Sequence, residues 1–282
     1  MKVSVVVTVW NVGEYIGKCL TSIIKQTYKN TEIIIVNDCG NDNSMDVVKG
    51  FNDGRIKIVN HSQNMGVGWA RKTGIAACTG DYVIFVDGDD WIDEDFIEKL
   101  AKNAQETDAD IVSGGITYVN SETLWDIKRI FPHVSEGMAK FKDYFDKKIE
   151  ILANKLVRRT MFDVVPYSSR PFNEDTITIM KLLYHANKVS YVDTQGYYWR
   201  QHPKSLCHRV NAFENALFKA LCAQELRVFF ADKGDEYKNV VSQDVYVHHL
   251  RTVKQTMNEA MAKKYRVELG EITPYLLSIL SI

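Results

Sequence analysis

The sequence predicts an α/β fold in which helices flank a mainly parallel central sheet, with a helical region towards the C-terminus. Two observations predict this class. Short, almost continuously apolar runs such as residues 3–9 and 32–36 are typical of strands buried on both faces of a parallel sheet. Each run is followed by apolar residues at helical spacing, and strands that alternate with helices favour parallel pairing.

Composition and charge exclude several classes of protein. Of the 282 residues, 45% are hydrophobic and 25% are charged, so the chain can bury a large core and is not intrinsically disordered. The 35 Lys and Arg residues nearly balance the 36 Asp and Glu residues, which leaves no general basic field and predicts that nucleic acid is not a partner. The length allows one large domain with an appendage or two modest domains.

The cysteines and apolar runs predict the compartment. Five scattered cysteines without a CxxC pair indicate reduced thiols and argue against a zinc cluster. The apolar run near the N-terminus is too short for a signal peptide, and no run reaches the roughly 18 apolar residues of a membrane span. We therefore expect a cytoplasmic protein.

The first part of the chain repeats a unit of strand, polar loop and helix. Residues 3–9 predict the first strand, and apolar residues from Tyr15 to Ile24 follow at helical spacing. Ser44 is a plausible N-cap for the second helix. The remaining predicted elements are strands at 32–36, 56–59, 82–86 and 109–113 and helices near 45–51, 69–77 and 94–105.

The second part of the chain is less regular. Residues 117–132 predict either a strand pair or an irregular excursion. Residues 141–156 and 176–185 favour helices, whereas the aromatic segments 189–191 and 197–199 favour strands. After residue 211 apolar residues again recur at helical spacing, which predicts a helical C-terminal region.

Polar residues follow three of the predicted strands. Trp10 and Asn11 follow the first, Asp38 the second, and Asp87–Asp90 a later one. Because ligands bind at the carboxyl ends of strands in such sheets, we expect these segments to meet there. Three carboxylates within 87–90 repel one another unless they are compensated, which favours a hard divalent ion such as Mg²⁺ or Mn²⁺. The alternative is an acidic turn that caps the helix near Glu94.

Other residues have a functional and a structural interpretation. Asp38 can accept hydrogen bonds from a base or ribose or form an Asx-turn, and Trp10 can stack on a base or fill the core. Arg71 can reach a diphosphate or lie on a solvated helix face. Glu174 and Asp175 can supply a general base for an acceptor hydroxyl or cap the helix that follows.

The aromatic segment 197–202 ends in two residues that could contact phosphate. Arg200 and His202 lie beside the aromatic side chains of this segment. His202 could also bind a metal, but a lone histidine is more often structural.

These residues together resemble the inverting glycosyltransferases of family 2, which have the GT-A fold. Each motif alone is weak, and the order and spacing of the motifs carry the resemblance. The matching segments are 4–16, 33–38 with the turn at Ser44, 64–71, 79–82, 87–90 and 173–175. The resemblance implies a GT-A domain over 1–210, with a nucleotide-sugar half (1–115) and an acceptor half (116–210), and a helical region over 211–282.

The resemblance implies roles for the residues of the first half. Thr8, Trp10 and Asp38 would hold the nucleobase, usually uracil in this family. Asp87 would meet the ribose, and Asp89 would bind the Mn²⁺ or Mg²⁺ that bridges the diphosphate. Trp10 stands where the family usually has a tyrosine, which keeps a stacking surface but loses the phenol.

The resemblance also places the catalytic base at Asp175. This carboxylate would deprotonate the acceptor hydroxyl, which would attack opposite the departing nucleoside diphosphate and invert the anomeric carbon. The metal would offset the charge that develops on the leaving group. Lys72 stands where the family usually has Asn. The other expected substrate contacts are Asn11, Glu14, Arg71, Asp90, Glu174 and Arg200.

The implied function is transfer of a sugar from a nucleotide sugar, usually UDP-linked, to a hydroxyl of a glycan or lipid-linked glycan in polysaccharide synthesis. The alternatives are a sugar nucleotidyltransferase, a catalytically inactive nucleotide-sugar-binding subunit and a Rossmann-type binding protein. A nucleotidyltransferase usually has a Gly-rich loop with Arg or Lys after the first strand, where this chain has residues 10–14. The absence of a GxGxxG motif after the first strand argues against a Rossmann-type protein that binds dinucleotides.

The end of the chain leaves a membrane contact open. Pro274–Ile282 is apolar and follows a basic stretch, so it is either a packed terminal helix or a peripheral contact with the inner membrane leaflet, where lipid-linked acceptors lie. The sequence also leaves open a homo-oligomer, the sugar, the acceptor, and whether His202 or His208 assists the metal.

Overall fold

The computed structural model describes residues 1–120, 123–128, 133–147, 151–170, 173–203, 205, 210–237 and 240–272. The chain divides into two units, Met1–Gln201 and His202–Ile282. The strands of the first unit are β1 Val3–Val9, β2 Thr31–Asn37, β3 Ile56–Asn60, β4 Tyr82–Asp87, β5 Trp91–Ile92, β6 Ile111–Ser113, β7 Ile116–Asn120, β8 Thr123–Lys128, β9 His133–Glu136, β10 Lys155–Arg158, β11 Lys188–Tyr191 and β12 Tyr197–Gln201. Its helices are α1 Ile16–Ile24, α2 Ser44–Lys49, α3 Val67–Ala77, α4 Phe96–Thr107, α5 Ala139–Lys147, α6 Met161–Val164 and α7 Glu174–His185.

The main sheet is built around the apolar strands β1 and β2. In the described residues its strand order is β3-β2-β1-β4-β10-β6-β11-β9. Strand β1 pairs in parallel with β2 and β4, and β2 pairs in parallel with β3. Every apolar side chain of β1 is buried, as expected for a strand covered on both faces. The predicted α/β class with a mainly parallel central sheet is confirmed.

Strand β10 corrects the prediction of a helix over 141–156. Helix α5 ends at Lys147, and β10 then inserts antiparallel between β4 and β6. Leu156 and Val157 are fully buried there. Pairing with two central strands outweighs the helical spacing of these apolar residues, because strand preference depends on the neighbours that a strand meets.

The predicted cap at Ser44 is also wrong. Ser44 is the first helical residue of α2, and its hydroxyl instead donates to Asp42 Oδ1 at 2.5 Å and accepts the Val12 N–H at 2.9 Å. The side chain therefore ties the loop after β1 to the loop after β2, which a cap of its own helix would not do.

A second, smaller sheet adjoins the acidic loop that follows β4. Its strand order in the described residues is β5-β12-β7-β8, with β12 antiparallel to β5 and parallel to β7. This pairing carries the end of β12, with Arg200, towards the Asp87–Asp90 loop. The expected strand pair within 117–132 corresponds to β7 and β8, and residues 129–132 lie outside the described part.

Two glycines let helix α3 lie close to its neighbours. A Cβ at Gly74 would lie 2.3 Å from Val6 Cγ1, and one at Gly68 would lie 2.6 Å from the Ser168 carbonyl oxygen. Neither position has room for a side chain. Helix α3 therefore packs directly on the sheet and on the 168–170 segment, which places Arg71 inside the first unit.

The second unit is helical in its described residues. It contains α8 Ala212–Phe230, a 3₁₀ turn at Asp235–Tyr237, α9 Gln243–Thr256 and α10 Glu259–Lys264, followed by helical residues 266–272. Asn211 and Glu214 form a reciprocal capping box that begins α8. None of the described helices is long and apolar enough to cross a membrane. Pro274–Ile282 and His208 lie outside the described residues.

Glu32 on β2 joins β1, β3 and the segment that follows α3 through hydrogen bonds. Its carboxylate accepts hydrogen bonds from Ser4 Oγ at 2.6 Å, the Thr79 N–H at 2.6 Å and Lys57 Nζ at 2.9 Å. Burial opposes ionisation, but these hydrogen bonds outweigh it and hold the pKa of Glu32 well below its ordinary value. Glu32 therefore stabilises the fold as a carboxylate.

We expect Glu32→Gln to lower the free energy of unfolding at pH 7 by about 1–3 kcal/mol, because charge-assisted hydrogen bonds are lost. A lowered pKa gives stability above the ordinary carboxyl pKa and loses it as pH falls towards the folded-state value. The difference in free energy of unfolding between the wild type and Glu32→Gln should thus become smaller below about pH 4.5. Urea unfolding across pH measures it, with the exposed Glu106→Gln as control. An equal difference at pH 7 and pH 3 would contradict this account.

Candidate active site

The carboxyl ends of β1, β2 and β4 lie together, as the sequence predicted for a ligand-binding edge. Asn11 adopts the left-handed conformation with φ 53°, and its Oδ1 accepts the Asn41 N–H at 2.8 Å, so the loops after β1 and β2 are joined. Asn173, with φ 56°, precedes α7 in the same conformation. That turn presents Glu174 and Asp175 at the start of the helix.

Arg71 on α3 joins carboxylates from two distant parts of the chain. Its Nη2 donates to both oxygens of Asp87, at 2.7 and 2.9 Å. Its Nη1 donates to Glu174 Oε1 at 2.8 Å, to Asp175 Oδ1 at 2.7 Å and to the Tyr167 hydroxyl at 2.9 Å. The residue is only 4% exposed, so the solvated helix face considered from sequence is wrong. In this structure its guanidinium is directed at carboxylates.

The electrostatics of this cluster separate the two acids of α7. Burial, and then the charge of Asp175, raise the pKa of Glu174 to about 8, against the opposing charge of Arg71. Burial therefore disfavours the charged form of Glu174, whereas Asp175 is 16% exposed at its side chain and bonded to Arg71. Of the two acids, Asp175 is the more exposed at its side chain.

Asp175 is held from several sides. The Tyr167 hydroxyl donates to its Oδ1, and the Leu152 N–H donates to its Oδ2 at 3.3 Å. These contacts orient the carboxylate, and its partial exposure leaves it accessible to a small molecule. Asp175 is therefore placed as a general base requires, oriented by fixed donors and reachable from solvent.

Asp90 is buried beneath the acidic loop. Its Oδ2 accepts the Tyr197 hydroxyl at 2.6 Å and its Oδ1 accepts the Arg200 N–H at 2.8 Å, and the residue is 2% exposed. Burial, and then the charges of Asp89 and Asp87, raise the pKa of Asp90 well above its ordinary value. In this structure both oxygens of Asp90 fasten β12 to the loop.

Arg200 lies over this loop between aromatic rings. Its Nε donates to the Asp89 carbonyl oxygen at 2.9 Å, and its guanidinium carbon lies 4.9 Å from the Tyr15 ring centroid and 4.6 Å from that of Trp91. Trp91 in turn stacks on Tyr198 at 5.1 Å. The stack holds a cationic group beside Asp89, in a position compatible with binding phosphate.

Asp38 is buried after β2 and organises the loop before α3. Its carboxylate accepts the Met65 and Gly66 N–H groups, each at 2.8 Å, and His61 Nδ1 lies 2.7 Å from its Oδ1. The other ring nitrogen of His61 lies 2.9 Å from Thr73 Oγ1. These three donors occupy three of the roughly four acceptor positions of a carboxylate. Three donors thus hold this carboxylate, and the residue is only 4% exposed.

The remaining residues predicted at this edge are more exposed. Trp10 is 36% exposed, which suits a ring that receives a ligand better than a core residue. Glu14 is exposed and hydrogen-bonded to Tyr15. Thr8 Oγ1 donates to Asp87 Oδ1 at 3.3 Å. His202 belongs to the second unit.

The acidic loop fits a cation that is shared with a ligand. No group of three or more His, Cys, Asp or Glu side chains among the described residues could hold a metal ion alone. Asp87 is engaged by Arg71 and Asp90 by Tyr197, whereas Asp89 is partly exposed. Protein sites for Mg²⁺ often contribute only one or two carboxylates, with substrate phosphates and water completing the shell. The donor set therefore fits such an ion.

Several residues of the site were missed from sequence. Tyr167 and Lys155 have no motif that marks them, because they reach Asp175 through β10 and an irregular segment. Tyr197 lies in the aromatic segment that predicted a strand, and it is fully buried with its hydroxyl bonded to Asp90. His61 follows the end of β3, so the rule about carboxyl ends of strands could have identified it.

Comparison with known proteins identifies the family. Residues 4–165 match the family described as Glycosyl transferase family 2. The glycosyltransferase GlyA of Streptococcus pneumoniae is 34% identical over 218 residues, which are 73% of this chain and 31% of GlyA. The chain thus corresponds to about a third of that relative. The putative glycosyltransferase EpsH of Bacillus subtilis is 31% identical over 260 residues, which cover 87% of this chain and 74% of EpsH.

Solved structures share the fold. S. aureus TarS residues 1–349 in complex with UDP-GlcNAc superpose with a TM-score of 0.72 at 21% identity, covering 99% of this chain and 80% of that one. The mannosyltransferase PcManGT from Pyrobaculum calidifontis, in complex with GDP-Man and Mn²⁺, gives a TM-score of 0.60 at 14% identity, covering 99% and 83%. The chain belongs to glycosyl transferase family 2 and is a glycosyltransferase with the GT-A fold.

Proposed function

We propose that the enzyme transfers a sugar, with inversion, from a UDP-linked donor to a hydroxyl of a glycan or lipid-linked glycan, with the help of a divalent metal ion. One observation carries the proposal. Arg71 joins Asp87, at the end of the strand that leads into the acidic loop, to Asp175 at the start of α7. This link brings the carboxylate of Asp175 and the strand end that leads into the acidic loop onto one side chain, so a donor bound at that loop would lie beside an oriented carboxylate.

The proposed donor contains uridine. Asp38, which follows β2 at the carboxyl end of the sheet, would accept the ring N–H of uracil. The exposed ring of Trp10 supplies a surface on which the base can stack. The UDP-GlcNAc complex of TarS supports this choice of nucleotide.

The proposed metal ligand is Asp89. A bound Mn²⁺ or Mg²⁺ would act as a Lewis acid that offsets charge on the departing diphosphate. Arg200 holds the Asp89 backbone through its Nε and directs its positive charge to the same place. The Mn²⁺ in the mannosyltransferase complex supports the use of a divalent ion.

The proposed base is Asp175. It removes the proton of the acceptor hydroxyl, which attacks the anomeric carbon on the face opposite the nucleoside diphosphate, and the configuration inverts. Arg71 and Tyr167 keep the carboxylate oriented before the proton moves. Burial raises the pKa of the neighbouring Glu174, which makes Glu174 less suited to this role than Asp175.

The proposed setting is synthesis of a cell-surface polysaccharide at the cytoplasmic face of the membrane, where lipid-linked acceptors are accessible. We assign residues 1–115 to the donor and 116–210 to the acceptor, with the helical region 211–282 as a separate part. The competing functions are a sugar nucleotidyltransferase and an inactive binding subunit. Turnover of the nucleotide sugar in the absence of a nucleoside triphosphate would favour the glycosyltransferase over both.

A panel of nucleotide sugars tests the function. UDP-linked sugars with Mn²⁺ should raise the melting temperature and be slowly hydrolysed to UDP and free sugar, because a ligand that binds only the folded state stabilises it. GDP-linked sugars should do neither, and EDTA should remove the effect of UDP-sugars. Release of pyrophosphate from UTP and a sugar phosphate would instead identify a nucleotidyltransferase. Binding without hydrolysis or transfer would identify an inactive subunit.

The base assignment predicts a separation of transfer from binding. Asp175→Asn should lower kcat by about 10²- to 10⁴-fold, the contribution of one positioned base, while the Kd for the UDP-sugar stays nearly unchanged. Asp89→Ala should instead weaken donor binding only when Mn²⁺ is present. Steady-state transfer and calorimetric titration measure the two effects, with the exposed Asp163→Asn on α6 as a charge control. Near-normal kcat in Asp175→Asn would remove Asp175 from the role of base.

A further inference from the structure

Lys155 is a buried lysine that the proposed mechanism does not use. It begins β10 in the centre of the main sheet and is only 4% exposed. Lysine is almost never fully buried unless its amine is compensated by other polar groups. The reason for its burial therefore lies in the groups around it.

The amine of Lys155 closes the turn that precedes β10. Its Nζ donates to the Ile151 carbonyl oxygen at 2.5 Å and to Asn154 Oδ1 at 2.7 Å, and its backbone N–H donates to the Leu152 carbonyl oxygen at 3.1 Å. Residues 151–155 thus form a closed turn whose side-chain cap comes from its own last residue. We call this segment the 151–155 turn.

The 151–155 turn is anchored on one side and contacts the active site on the other. The Asn154 carbonyl oxygen accepts the Gly114 N–H at 3.1 Å, and the Asn154 side chain donates to the Gly114 carbonyl oxygen. On the other side the Leu152 N–H donates to Asp175 Oδ2 at 3.3 Å. The position of this donor therefore depends on the turn that Lys155 closes.

Charge links the same two residues. Burial lowers the pKa of Lys155 to about 7, and the negative charge of Asp175 opposes that fall. Around Asp175 lie Arg71 and Tyr167, which bond its Oδ1, and the neighbouring Glu174. Arg71 thus contacts one oxygen of Asp175, and the 151–155 turn contacts the other.

We propose that Lys155 is a positioning residue for Asp175: its side-chain amine closes the 151–155 turn, which directs the Leu152 amide onto the carboxylate. The inference rests on the proposed role of Asp175. Lys155 acts on Asp175 through the turn and, when protonated, through its positive charge, whereas Arg71 and Tyr167 bond Asp175 directly. Removing Lys155 leaves those direct contacts in place but weakens the hydrogen bond from the Leu152 N–H to Asp175 Oδ2.

The link between the two residues can be measured without enzyme activity. In protein labelled with ¹³C at lysine Cε, the Lys155 resonance should titrate near pH 7 in the wild type. In Asp175→Asn its midpoint should fall by about one pH unit, because a nearby opposite charge has been removed. Lys140 is an internal control, since it is also buried and its charged neighbours are Asp110 and Glu136. An unchanged Lys155 midpoint in Asp175→Asn would overturn the proposal.

Kinetics test the positioning role itself. Lys155→Met keeps the length of the side chain and removes the amine, so kcat should fall about tenfold to hundredfold while the KM for the UDP-sugar stays within about twofold. Lys140→Met removes the amine of another buried lysine, which bonds the Ala186 carbonyl oxygen, and it should keep the wild-type kcat. Wild-type kcat in Lys155→Met, or an equal loss in both variants, would overturn the proposal.

The two proposals fail in different ways. If the wild type turns over no nucleotide sugar, the proposed function is wrong, and the titration of Lys155 still decides whether Lys155 and Asp175 are coupled. If the wild type transfers sugar and the Lys155 midpoint ignores Asp175→Asn, the function stands and the positioning role is wrong.

Discussion

The buried guanidinium of Arg71 fixes the arrangement on which the active site depends. It comes from α3, and it holds Asp87 at the end of β4 together with Glu174 and Asp175 at the start of α7. The carboxylates of Asp87 and Asp175 would repel one another without a buried cation between them. Removal of one partner from such a network leaves an uncompensated buried charge, which costs about 3–5 kcal/mol. The cluster thus couples the stability of the first unit to the geometry of its site.

Other features of the fold follow from the need to bring Arg71 to this position. Gly74 and Gly68 allow α3 to approach the sheet and the 168–170 segment more closely than any side chain would permit. Strand β10 adds a second support for Asp175. The turn before β10 contacts one oxygen of Asp175, and Arg71 contacts the other. Asp90 is likewise buried near other acids, and its burial is tolerated because Tyr197 and Arg200 each donate a hydrogen bond to one of its oxygens.

Local pattern predicted the parallel half of the sheet well and the central antiparallel strand poorly. Strand β1 was predicted to the residue, because a continuous β-branched run has few other solutions. Strand β10 has four residues and no pattern of its own, and its pairing partners lie far away in sequence. The site followed the same rule. Asp38 and Asp87 end regular strands and were predicted to meet, whereas the burial of Asp90 depends on Tyr197, which only tertiary structure brings to it.

The central claim, that Arg71 and Asp175 form one coupled unit, is tested most directly by a double-mutant cycle of unfolding free energy with Arg71→Met, Asp175→Asn and the double variant. Arg71→Met leaves the acids uncompensated, so adding Asp175→Asn should recover stability. We predict a coupling energy of at least about 1 kcal/mol by urea unfolding at pH 7. Single effects that add to within about 0.5 kcal/mol would show that the two residues act independently and would contradict the account.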